Sequence, residues 1–118
     1  MQEWYERGYV FAKERNLDEA IRCLSEAIHL EPTDAFAYGM SGLVREEKGD
    51  FDNAISDYNE AIHIQVEQPL FYYNRGNSRK HKNDLDGAIA DYTEAIRLKP
   101  DDANSYVAED KLVATRMI

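Results

Sequence analysis

The chain repeats itself. The stretch from Asp84 to Ile96, DLDGAIADYTEAI, has a near copy from Asp50 to Ile62, DFDNAISDYNEAI, thirty-four residues earlier. A looser version, NLDEAIRCLSEAI, lies a further thirty-four residues back, from Asn16 to Ile28. Gly8, Gly42 and Gly76 keep the same spacing, and so do the aromatic residues Trp4, Tyr38, Tyr72 and Tyr106. A period of this length marks an architecture of stacked units, none of which can bury its apolar face alone.

Each copy reads as two helices. Trp4, Tyr5, Gly8, Phe11 and Ala12 recur three and four apart, the signature of one face of a helix. Ala20, Ile21, Leu24, Ala27, Ile28 and Leu30 do the same after the break at Asn16-Leu17. Asp18, Asp52 and Asp86 recur at one register and are expected to cap the second helices. Gly49 suits a left-handed C-terminal turn. His29, His63 and Arg97 fall near the ends of the second helices, where a cation complements the helix dipole. Pro32 and Pro100 close two copies, but the corresponding residue of the other is Val66, so that helix is expected to run on toward Glu67. After Pro100, Asp101 and Asp102 offer caps for a last helix through about Arg116, with Asp110 where the repeat has glycine. The pattern predicts seven helices and no strand: an all-α, single domain over residues 1–118, with copies at 1–34, 35–68 and 69–102 and a capping helix at 103–118.

Bulk properties exclude several functions. A formal charge of −9 and no dense Lys/Arg cluster argue against a nucleic-acid partner. No apolar run approaches the roughly 20 residues that span a bilayer, and no basic amphipathic helix points to a membrane surface. The N-terminal residues lack the basic and apolar regions of a secretory signal, and Cys23 has no partner for an internal disulfide. A cytoplasmic protein is expected.

These residues resemble the tetratricopeptide repeat (TPR). Its pattern is met by Trp4, Gly8, Phe11, Ala20, Leu24, Ala27 and Pro32; by Tyr38, Gly42, Ala54, Tyr58 and Ala61; and by Tyr72, Gly76, Ala88, Tyr92, Ala95 and Pro100. The resemblance implies a right-handed α-α superhelix. The leucine often found before the glycine is replaced by Arg7, Ser41 and Arg75. A helix-interior glycine costs about 1 kcal/mol relative to alanine, so its recurrence implies that a side chain there would hold two backbones apart. The aromatic one turn earlier is expected to fill the space beside it.

No catalytic constellation stands out. His29 and His63 have Arg97 as their third equivalent, which is no metal ligand, so no metal and no cofactor are expected. Cys23 is expected to be half-buried and inert, since no base is spaced beside it. Glu26, Glu60 and Glu94 recur once per copy, as on a solvated face.

The resemblance further implies a non-enzymatic protein-interaction module whose leading helices line a concave groove. By the helical period that groove takes Tyr5 and Tyr9 from the first copy, and Phe36, Gly39, Met40 and Leu43 from the second. From the third it takes Leu70, Tyr73, Asn74, Asn77 and His81. Tyr5, Tyr9, Phe36, Met40 and Tyr73 are candidate anchors, Gly39 is a candidate socket, and Asn74, Asn77 and His81 are candidate polar contacts. One subtype of the family grips the carboxylates of acidic chaperone tails with lysine, arginine and asparagine. Its positions fall here on Tyr5, Tyr9, Met40, Leu70 and Asn74, so a carboxylate clamp is not expected. The expected partner is an unidentified protein or peptide. A second reading is a piece of a longer repeat array, or a homodimer through the last helix, because Val113, Met117 and Ile118 lie together near its end.

Overall fold

A computed structural model of the protein describes residues 2–117, Gln2 without its side chain; Met1 and Ile118 lie outside them. Seven helices follow in order: α1 Gln2–Lys13, α2 Leu17–Leu30, α3 Ala35–Glu47, α4 Phe51–Ile64, α5 Pro69–His81, α6 Leu85–Leu98 and α7 Ala103–Arg116. There is no strand among the described residues. The chain divides into two compact units, Met1–Val66 and Glu67–Ile118.

In the first unit α1 packs on α2, α2 on α3 and α3 on α4. Ala20, Leu24 and Val44 form a buried cluster, with Tyr5, Phe11, Ala12, Leu17, Ile21 and Met40 packed around it. In the second unit α5 packs on α6 and α6 on α7. Its cluster is Ala88, Tyr92 and Leu112, flanked by Tyr73, Leu85, Ile89 and Ala108.

The second helices begin earlier than expected. The carbonyls of Asn16, Asp50 and Asp84 already accept from the amides of Ala20, Ala54 and Ala88, each at 3.0 Å. The N-caps are therefore Asn16, Asp50 and Asp84, not Asp18, Asp52 and Asp86. Asp84 accepts from the Gly87 amide at 3.0 Å, as an N-cap should. Asp18 and Asp86, displaced into the first turn, reach instead to the next leading helix, where they pair with Lys48 and Arg116. Asp34 caps α3 by accepting from the amides of Phe36 and Ala37.

Nor does α4 run on toward Glu67. It stops at Ile64, because Gln65 (φ −134°, ψ 86°) turns out of the helix just as Glu31 and Lys99 do at the ends of α2 and α6. Pro69 supplies the missing punctuation from the far side. Its fixed φ suits the first position of α5, and it holds Gln68 extended (φ −95°, ψ 107°) as the cap. The first helices close with a left-handed residue at Arg15, Gly49 and Asn83, of which Gly49 was expected.

The recurrent glycine makes room for a side chain rather than for a backbone. A Cβ on Gly42 would lie 2.7 Å from Cε1 of Tyr58, and one on Gly76 would lie 2.8 Å from Cε1 of Tyr92. At Gly8 the neighbour is Cγ of Leu24, also at 2.7 Å. The filler thus comes from the second helix, not from the aromatic one turn earlier. Tyr58 is fully buried and held at its hydroxyl by Glu46, so its ring has little freedom to yield. Gly42→Ala is therefore expected to lower stability by about 1 kcal/mol in urea unfolding, the overpacking strain exceeding the gain in helix propensity. Gly8→Ala, against the more adaptable Leu24, should cost less; an increase in stability at Gly42 would show the ring is not confined.

Candidate functional site

The leading helices expose apolar side chains that a packed core would have buried. On α1, Tyr9 is exposed and Tyr5 half-buried. On α3, Phe36 is exposed, Met40 and Leu43 are half-buried, and Gly39 is buried. Two shallow depressions open on the first unit, one on α1 alone and one between α1 and α3. One, of about 410 Å³, is lined by Tyr5, Glu6, Tyr9 and Val10. The other, of about 260 Å³, is lined by Tyr9, Ala12, Lys13, Arg15, Met40, Leu43 and Glu47. The structure thus brings together Tyr5, Tyr9, Met40 and Leu43. Burial pushes the Tyr5 hydroxyl above the ordinary tyrosine range, with Asp34 and Tyr9 adding to the shift, so it stays a neutral donor. The far end of the cleft is polar, where Lys13 lies over the Tyr9 ring and Arg15 pairs with Glu47 at 3.2 Å.

The third-copy candidates belong to the second unit. Leu70 and His81 are exposed, Tyr73 is half-buried and Asn74 is buried. Tyr73 packs on the core and meets the Tyr92 ring at 5.7 Å between centroids. Asn77 accepts from the Tyr92 hydroxyl at 2.6 Å, and Nδ1 of His81 donates to the Asn77 carbonyl at 2.8 Å. Asn77 is thus already engaged by the fold.

A set of buried polar contacts escaped the sequence reading. Asp91, its side chain only 4% exposed, accepts from Arg75 at 2.7 and 3.0 Å and from Arg79 at 3.0 Å. In the first unit Asp57 accepts from Ser41 at 2.7 Å and pairs with Arg45 at 3.1 Å. Burial pushes the Asp57 carboxyl up, while Ser41 and Arg45 oppose the shift. The residues that replace the family's usual leucine, Ser41 and Arg75, are therefore the ones that reach these carboxylates. The signal was present as a pairing between copies, since Asp57 follows Ser41 and Asp91 follows Arg75 by sixteen residues.

Cys23, at the matching position of the first copy, is fully buried rather than half-buried. Glu94 is half-buried against Arg97 rather than freely solvated, whereas Glu26 and Glu60 are exposed. Among the described residues there is no metal-binding group of histidine, cysteine and carboxylates, and no helix is long and apolar enough to cross a membrane.

Helix pairs repeated every 34 residues, each with a glycine seated under a side chain of its second helix, define a helical-repeat protein. The chain belongs to the tetratricopeptide repeat family, whose pattern matches residues 2–34 and 69–102, while a second TPR pattern matches residues 42–81. None of the curated proteins compared with it matches significantly. It is similar to the first TPR of Spaghetti (RPAP3) bound to the HSP90 peptide SRMEEVD, with 22% identity over 99% of this chain and 93% of that one and a TM-score of 0.97. The Arabidopsis OM64 TPR domain is 27% identical over 94% of this chain and 92% of that one, with a TM-score of 0.91. The second TPR domain of human RPAP3, in complex with the HSP70 peptide SGPTIEEVD, is 21% identical over 92% and 91%, with a TM-score of 0.89. The TPR is a protein-interaction fold, and two of these similar domains hold peptides of other proteins.

Proposed function

We propose that this chain binds a peptide or helix of a partner protein on the apolar surface that α1 and α3 form in the first unit. The observation that carries the reading is the open depression lined by Tyr9, Met40 and Leu43, with Tyr5 packed beside Met40 on the same core cluster. Aromatic side chains ordered before binding lose little entropy when a ligand covers them, which makes them good anchors. Phe36 extends the apolar surface on α3, and Leu70 is the exposed apolar candidate of the third copy.

The chemistry differs from that of a grip on an acidic tail. Such a grip needs charge-assisted donors, because a carboxylate loses water on binding. Its positions here hold Tyr5, Tyr9, Met40, Leu70 and Asn74, with no cation. The chaperone peptides bound by the similar RPAP3 domains are therefore not the ligand class proposed. An apolar or aromatic anchor is, on a neutral or basic segment that the net charge of −9 would steer toward the domain.

A displayed-peptide selection tests this. Selected sequences are expected to share aromatic or aliphatic anchors and to lose at least tenfold in affinity against Met40→Glu, about 1.4 kcal/mol. Enrichment of acidic C-terminal tails that bind Met40→Glu unchanged would refute it. A second reading, self-association through α7, is favoured by the exposure of Tyr106, Val107 and Met117; light scattering across concentrations would show a mass that rises toward a dimer.

A further inference from the structure

The first copy differs from the other two at one junction. Where the others join Arg45 to Asp57 and Arg79 to Asp91 by ion pairs, the matching residues are Phe11 and Cys23. Two apolar side chains thereby replace a salt bridge. With Val10 they line an open cavity of about 410 Å³, bordered by the Glu3–Arg7 ion pair and Arg22. The junctions of the second and third copies are thus polar, and that of the first is apolar.

The chain also shows what such a face accepts. Val44, thirty-four residues after Val10, is 1% exposed because Ala20 and Leu24 of α2 cover it, whereas Val10 is 50% exposed. The occupant of the equivalent surface is thus an amphipathic helix. Charge then decides which kind. The segment bearing α2 is fastened to α3 by Asp18 with Lys48 and by Arg15 with Glu47. The counterparts of Lys48 and Glu47 on the first copy are Glu14 and Lys13, so both signs are reversed. A helix like α2 would set aspartate against Glu14 and arginine against Lys13. Asp52 and Asp86 stand where Asp18 does in the later copies, so those helices would meet Glu14 with the same repulsion.

We infer that the Val10 face of α1 is a second docking site, for an amphipathic helix of a partner protein with an apolar stripe like that of α2 and the opposite charges at its start. It carries a cation facing Glu14 and a carboxylate facing Lys13. In a second copy of this chain α2 and α6 are already covered, by α3 and α7, so neither is free to dock here.

Two labelled helix-stapled peptides test the assignment by fluorescence anisotropy. One copies Arg15–Leu30, and the other carries Arg15→Glu and Asp18→Lys in that copy. The charge-reversed peptide is expected to bind about tenfold tighter, two exposed pairs having turned from repulsive to attractive, and to weaken at high salt. Lys13→Glu/Glu14→Lys in the protein should invert the preference. Val10→Arg, at an exposed position, should abolish binding, while Met40→Glu should leave it unchanged. Equal binding of the two peptides, no binding of either, or sensitivity to Met40→Glu in place of Val10→Arg would each overturn the inference. The last result would place the peptide on the α1–α3 cleft instead, so failure here leaves the proposed function to its own test.

Discussion

Tyr92→Ala is expected to destabilise the protein by about 4 kcal/mol, the range for emptying an aromatic site in a closed core. Tyr92 is fully buried, its ring fills the space that Gly76 leaves, and Leu112 of α7 belongs to the same cluster. Alanine would open a cavity that Gly76, which has no side chain, cannot help to close. The Asn77 side-chain oxygen would lose the hydroxyl it accepts from at 2.6 Å. Against a typical total of 5–15 kcal/mol, the loss should be plain in urea unfolding. Tyr92→Phe keeps the ring and removes the hydroxyl, so about 1 kcal/mol is expected. If Tyr92→Ala cost no more than Tyr92→Phe, the ring would not be what the glycine accommodates.

Asp91→Ala is the second large effect, at about 3 kcal/mol. The reason is not that the ion pairs of Asp91 are strongly stabilising. Removing the carboxylate takes the shared acceptor from Arg75, whose side chain is 16% exposed and whose guanidinium also lies over the Tyr72 ring, and from Arg79. A largely desolvated cation that loses its counter-charge keeps much of the cost of desolvation. The triple replacement Arg75→Met/Arg79→Met/Asp91→Leu, which removes the whole network, should recover most of the loss. Asp57→Ala should cost less, because Asp57 and Arg45 are nearer to water, with side chains 19% and 26% exposed. A neutral Asp91→Ala in chemical denaturation would mean that water, not the protein, satisfies the two guanidinium groups.

How much of the molecule was legible beforehand depends on the range of the forces involved. Helix number and order, the glycine and the αL turn at Gly49 follow from residues within one turn of each other, and a 34-residue period repeats that local information. The same period put Tyr5, Tyr9, Met40 and Leu43 on one surface, because side chains three and four apart share a helix face. Local reasoning went wrong where two local answers compete. Asp18 and Asp86 are good caps in sequence, but the carbonyls of Asn16 and Asp84 begin the helix first, which frees the aspartates to reach Lys48 and Arg116 thirty residues on.

Sequence alone determined the repeat, the helices and the apolar surface of α1 and α3. Tertiary structure decided which side chain enters the glycine gap, that Asp91 is buried between two arginines, and that Val10 stays open where Val44 is covered. Each of those depends on which helix lies against which. Desolvation is set by neighbours distant in sequence, and no local pattern encodes the distance between them.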